Sequence, residues 1–200
     1  MNMEHSTLRT QILVVAIGSL LYAIITVRLN VLIMPGTELT AVRPSVVVPM
    51  LIGFLFGPRA GFLTGFLGNV LGDVVTFNDF FWPWDIGNGI MGAVPGLAYV
   101  LLDRERRLGR TGLLWAPPLA VAGAVLGMGF AVPLDLYMGL TVNTVQQAWT
   151  VFVSAAATDA LNGAVLLPIL VLIYSRLLQL SQKTVLHAGP VEDQVLPERE

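Results

Sequence analysis

A tight break at Gly57-Pro58-Arg59 interrupts the apolar stretch that runs from about Thr40 to Phe77. At ~1.5 Å per residue an unbroken helix of that length would overshoot the ~30 Å hydrocarbon core of a bilayer. Proline removes a backbone donor and clashes with the preceding turn, so the chain is expected to reverse at Pro58 and form a hairpin of two apolar helices. The second of them carries Asn69 and Asp73, four residues apart and therefore on one face. Polar groups are costly inside a membrane, which makes these two the first clue to function.

Composition supports a membrane setting. With 55% hydrophobic residues, 12% charged and a mean hydropathy of +0.75, the chain has too little polar surface to cover a water-soluble globule of 200 residues. Apolar runs of roughly 18 residues recur, and the ~10-residue alternating segments of an outer-membrane barrel do not, so helices are expected to satisfy the backbone. The expected fold is all-α and integral to the membrane: a compact bundle of six transmembrane helices. The spans fall at about Thr10 to Arg28, Thr40 to Gly57, Ala60 to Phe77, Asp85 to Leu102, Leu113 to Met138 and Ala148 to Leu178. The last two exceed a bilayer thickness and should tilt, kink or project, with Pro117, Pro118, Pro133 and Pro168 as kink points. Residues 1–178 thus form the membrane domain. Residues 179–200 turn polar and acidic and read as a disordered cytoplasmic tail.

Charge orients the bundle. With a cytoplasmic amino terminus, the inner segments hold Arg9, Arg59, Arg104, Arg106, Arg107, Arg110, Arg176, Lys183 and Arg199, and only Arg28 and Arg43 lie outside. Both termini of this multi-pass, plasma-membrane chain are therefore expected in the cytoplasm. The outer connections then carry Glu38 and the run Asn78-Asp79-Phe80-Phe81-Trp82-Pro83-Trp84, while Asp73, Asp85 and Asp135 sit near outer helix ends. The mouth of the bundle is acidic and aromatic. Trp82 and Trp84 either anchor a helix start at the interface or close over a planar or cationic ligand. Asp85 and Asn88, and Asp159 and Asn162, each lie three apart on a helix and should point into the bundle, there either to bridge helices or to meet a ligand. For Asp135, solvent exposure is an adequate explanation. Arg28 and Arg43 have two roles open to them, pairing with these carboxylates or holding an anionic ligand group. The glycines of spans two to four read as tight helix packing.

Absent motifs narrow the chemistry. There is no GxxxxGK[ST] phosphate loop, and the only lysine is Lys183, so ATP hydrolysis would have to come from a partner. Neither HExxH nor GxSxG occurs, the two histidines lie near the termini, and there is no cysteine. No enzyme, cofactor or metal is expected, and no basic patch supports nucleic-acid binding. A stand-alone ion-coupled carrier or channel working through Asp73 and Asp159 is the alternative to a partner-driven subunit. In the first span Ala16, Ser19 and Ala23 form a small-residue strip, suited either to packing within the bundle or to a partner helix.

Arg43-Pro44, leading into Leu51-Ile52-Gly53-Phe54-Leu55-Phe56-Gly57-Pro58-Arg59-Ala60-Gly61 and then Gly65-Phe66-Leu67-Gly68-Asn69-Val70-Leu71-Gly72-Asp73, resembles the hairpin of the substrate-binding S components of energy-coupling factor (ECF) vitamin transporters. With six spans in about 200 residues, the resemblance covers most of the chain. It implies a membrane-embedded binder whose loops cover a pocket on the outer side, docked through the first span onto a transmembrane coupling subunit driven by two ATPase subunits, and toppling in the membrane to release its ligand. The docking strip, usually Ala-x-x-x-Ala, is here Ser19-x-x-x-Ala23 preceded by Ala16. Candidate ligand contacts are Glu38, Arg43, Asn69, Asp73, Trp82, Trp84, Asp85, Asn88, Asp159 and Asn162. The acidic, aromatic mouth favours a small, planar, neutral or cationic vitamin-like heterocycle, of the thiamine or pyrimidine type.

Overall fold

The computed structural model describes residues 8–29 and 43–187, which are helical with no strand among them. Helix α1 spans Leu8–Leu29. A 3-10 turn at Pro44–Val46 leads into α2, Val47–Phe56, and α3 follows at Pro58–Phe77. Helix α4, Trp82–Ala93, is continued after a turn by α5, Leu97–Leu101. The short α6, Arg104–Leu108, precedes the long α7, Arg110–Met138, and α8, Val145–His187.

The break expected at Pro58 is where α2 ends and α3 begins. Gly57 takes φ 104°, a conformation that a side chain strains, and Pro58 sits in the first turn of α3, where its missing N–H costs nothing. A second break falls at Val94-Pro95-Gly96. Pro95 donates no hydrogen bond, and Leu97 and Ala98 bond to the carbonyls only three residues back, at 3.0 and 3.1 Å.

These breaks shorten two of the six expected spans. Among the described residues, four helices are long and apolar enough to cross a membrane: Leu8–Arg28, Pro58–Phe77, Arg110–Met138 and Val145–Gln182. The second and fourth expected spans are instead the shorter apolar stretch Pro44–Phe56 and the pair α4 and α5. Both lie inside. Met50, Phe54 and Met91 are fully buried and share a core with Met128 of α7 and Leu167 and Val171 of α8. A short helix surrounded by protein need not reach both bilayer faces to have its backbone satisfied. Helix α8 runs the other way, continuing past Leu178 to His187, and its 43 residues rise about 65 Å.

Around that core α1 packs on α3, α3 on α4, α4 on α7 and α7 on α8, with α2 touching α1, α3, α4 and α8. Glycine sets the closeness of approach at the centre, since a Cβ on Gly61 would fall on the Gly92 carbonyl and one on Gly92 would fall on the Gly61 carbonyl. Outward, the bundle shows leucine and isoleucine rather than charge: Leu63, Leu67 and Leu71 on α3, and Leu13, Ile17, Leu20 and Ile24 on α1, are all exposed. That is a surface for lipid or for another apolar helix.

At one end the α5–α7 connection gathers the arginines. Asp103 caps α6 by accepting from the Arg106 backbone N–H at 2.8 Å. Arg107 lies 4.4 Å from the centre of the Tyr99 ring and is buried. The polar groups of the first span, of α3, α4 and α8 gather towards the opposite end.

Candidate functional site

Helix α1 presents Val15, Ser19, Tyr22, Ala23 and Thr26 to the bundle, all buried, at spacings of three and four. Ser19 and Ala23 are therefore covered in this arrangement. The Ser19 hydroxyl is 3.5 Å from the Thr64 carbonyl of α3, so of the two roles open to the strip, packing within the chain is the one seen for Ser19 and Ala23, and only Ala16 of the three is exposed. The physical reason is the glycine-rich face of α3, where Gly68 lets Tyr22 and the Ser19 backbone come close.

Tyr22 is the centre of the site, and it has no solvent exposure. Its hydroxyl donates to Asn88 Oδ1 at 2.8 Å and lies 3.5 Å from Asn69 Oδ1. Asn69 in turn donates from Nδ2 to Asp73 Oδ2 at 3.0 Å and to Asp85 Oδ1 at 2.9 Å, using both of its amide hydrogens. Asn88 Nδ2 donates to the Trp84 carbonyl at 2.8 Å. Three helices, α1, α3 and α4, are thus joined by one polar chain. Asp85 and Asn88 are buried, and Asp73 and Trp82 are half-buried.

A second group lies across the bundle. Arg43, just before the 3-10 turn, donates to Asp159 Oδ2 of α8 at 2.6 Å, with Asp159 buried. Beside it, Thr26 donates to the Ser45 hydroxyl at 2.9 Å, tying α1 to the start of the turn. The two groups meet on α1, because Tyr22 of the first and Thr26 of the second lie four residues apart on one face of that helix. Of the two roles open to Arg43, ion pairing is the one seen. Arg28 is exposed at the end of α1, and Glu38 lies outside the described residues.

Asp135 corrects an expectation. It is not at the solvent surface but fully buried, accepting from the Thr141 and Val142 backbone N–H groups at 2.9 and 2.7 Å, from the Thr141 hydroxyl at 2.7 Å and from the Trp84 indole at 2.5 Å. Glycine at position 139 with φ 62° turns the chain back over the end of α7, which brings those donors to the carboxylate. Trp84 therefore serves as a strut between α4 and the α7–α8 connection. Phe81 makes an edge contact with Phe77 at 5.9 Å, while Phe80 is exposed.

Not every buried polar atom is satisfied. Asp85 Oδ2, Asp159 Oδ1 and Asn162 Nδ2 have no hydrogen-bond partner among the described residues. Unpaired buried groups of this kind cost about 1–3 kcal/mol each, and these three, like Thr64 Oγ1 and Arg107 Nε, are positions where water or a bound molecule can complete the bonding. No group of three His, Cys, Asp or Glu side chains able to hold a metal occurs among the described residues.

The sequence reading missed Tyr22, Thr26 and Ser45. A signal was present, since Ser19, Tyr22 and Thr26 recur at helical spacing in an otherwise apolar span and mark its inward face.

Comparison with known proteins bears on the same residues. The model of the family described as "ECF-type riboflavin transporter, S component" matches residues 7–176. A UPF0397 protein of Streptococcus thermophilus is 28% identical over 176 residues, covering 84% of this chain and 92% of that protein. One from Aliivibrio salmonicida is 32% identical over 138 residues, 68% of this chain and 72% of its own length. No solved structure matches. On the strength of a match that takes in every helix of the polar cluster, the chain belongs to the family of ECF-type riboflavin transporter S components.

Proposed function

We propose that this protein is the substrate-specific subunit of an ECF importer, capturing a small vitamin-like heterocycle on the outer side of the plasma membrane and depending on partner subunits for the energy of transport. The observation that carries this is the buried polar cluster around Tyr22, Asn69 and Asp85 at one end of a bundle whose outer surface is apolar, in a chain of a substrate-binding family. Desolvated donors and acceptors beside aromatic rings are what a small-ligand site requires. Arg43, Asn69, Asp73, Trp82, Trp84, Asp85, Asn88, Asp159 and Asn162, together with Glu38, remain the proposed ligand-binding set, with Trp84 acting through its hold on Asp135. Thiamine, its pyrimidine precursor and flavins are the compounds to try first.

In this reading all six helical stretches serve as spans, with α4 and α5 acting as one, and both termini are cytoplasmic. The arginines of the α5–α7 connection support that orientation by the positive-inside rule. The partners are a transmembrane coupling subunit and two ATPase subunits, and the proposed docking surface is the exposed apolar side of α1 that includes Ala16, Leu13, Ile17 and Leu20.

The test is reconstitution. Vesicles holding this chain alone should bind ligand without accumulating it, and ATP-dependent uptake should appear only when the coupling and ATPase subunits that co-purify from the host are added. Solute accumulation by the chain alone under a proton or sodium gradient would establish the ion-coupled carrier instead.

A further inference from the structure

The polar cluster is short of positive charge. Along the inward side of α1, the two groups hold one cation, Arg43, and three carboxylates, Asp73, Asp85 and Asp159. Arg43 is committed to Asp159 at 2.6 Å. Asp73 and Asp85 are left facing a single neutral partner, the Asn69 amide, which donates one hydrogen to each. Asp85 has no solvent exposure, and its Oδ2 has no partner among the described residues. The remaining outer connection cannot repair this, since residues 30–42 contain no lysine, arginine or histidine. Arg28, the other cation at this end, is exposed.

A buried carboxylate without a counter-ion is costly, and either a proton or a second cation must balance it. The hydrogen-bond pattern discriminates between the two. Either charge state of the two carboxyls can accept from Asn69, but a proton on Asp85 Oδ2 would be a buried O–H with no acceptor among the described residues, whereas an ionised Oδ2 is an acceptor position that a donor from a bound molecule can fill. An N–H donor carrying positive charge satisfies the hydrogen bond and the charge together. Trp82 stands one helical turn before Asp85 on α4, on the same face, where a ring favours a neighbouring cation.

Resting on the binding-subunit reading above, we infer that the ligand is bound as a cation, its charged nitrogen seated at Asp85 Oδ2 between α3 and α4 with Asp73 as the second carboxylate. The seat selects an amine, amidinium or quaternised ring nitrogen and rejects a neutral ring of the same shape. Asn69 is its positioning residue, because it holds both carboxylates through one amide. The family's name refers to riboflavin, a neutral flavin, so this seat would set the present chain's specificity apart from that name.

The experiment compares matched probes on the full chain in lipid nanodiscs. Thiamine and 1-methylnicotinamide supply permanent cations, and riboflavin and nicotinamide are neutral; binding is read by calorimetry and by thermal stabilisation. At least one cation should bind, at least tenfold more tightly than either neutral probe. Asp85→Asn should weaken that binding by about ten- to a hundredfold, the worth of one charge-assisted hydrogen bond. The wild-type comparison stands even where the variant fails to fold. Binding of a neutral probe as tight as the cations, or an Asp85→Asn chain that folds and keeps full affinity, overturns the inference and leaves the binding-subunit reading intact. Silence from all four probes also overturns it, and the co-purification of coupling subunits then judges that reading separately.

Discussion

The Arg43–Asp159 pair joins residues 116 positions apart, and its removal tests whether the entry to α2 is held by α8. The side chain of Asp159 is 1% exposed and that of Arg43 16%. Solvent screening is therefore weak at the carboxylate and modest at the guanidinium. Breaking such a pair from one side leaves a buried charge without a partner, which costs about 3–5 kcal/mol, and the partial exposure of Arg43 favours the lower end of that range. Asp159→Asn and Arg43→Gln should each destabilise the protein by about 3 kcal/mol. The double variant removes both charges, so it should lose clearly less than the sum, with a coupling energy of about 2–3 kcal/mol. Equilibrium unfolding in mixed micelles by rising SDS, followed by tryptophan fluorescence, measures all four proteins on one scale. Single variants that each cost under about 0.5 kcal/mol, or a double variant whose loss is the simple sum, would refute the assignment of this pair as a buried tie.

Tyr22→Phe removes the hydroxyl that donates to Asn88 and leaves that buried acceptor unpaired; a loss of about 1–3 kcal/mol in the same unfolding assay is expected, with weaker ligand binding in a chain that still folds. Gly92→Ala drives a methyl group into the Gly61 carbonyl and should cost about 1–3 kcal/mol, whereas alanine at Gly129, whose Cβ would meet only Phe152 at an ordinary 3.8 Å, should be nearly neutral by comparison. Trp84→Phe deletes the indole donor to Asp135, and hydrogen exchange at the Thr141 and Val142 amides should speed up while exchange in α2 stays unchanged. Equal protection in both proteins would mean that the α7–α8 connection does not depend on the strut.

What the amino-acid order determined by itself was the membrane setting, the reversal at Gly57-Pro58 and the helical faces on which polar residues fall. These are local properties: apolar length sets the solvent, a proline after glycine ends a helix, and a spacing of three or four puts Asn69 with Asp73 and Asp85 with Asn88. Which face meets which is decided only in three dimensions. Periodicity could not say that the Ser19 and Ala23 side of α1 turns inward on α3, that Arg43 finds Asp159, or that Asp135 disappears beneath its own loop. It also could not show that α2 is too short to span by length alone, because hydropathy scores an apolar run the same whether lipid or protein surrounds it. The charge deficit at Asp85 exists only once distant helices commit Arg43 to Asp159 and leave Asp73 and Asp85 sharing the Asn69 amide, since the energy of a buried charge depends on its neighbours in space and not on its neighbours in sequence.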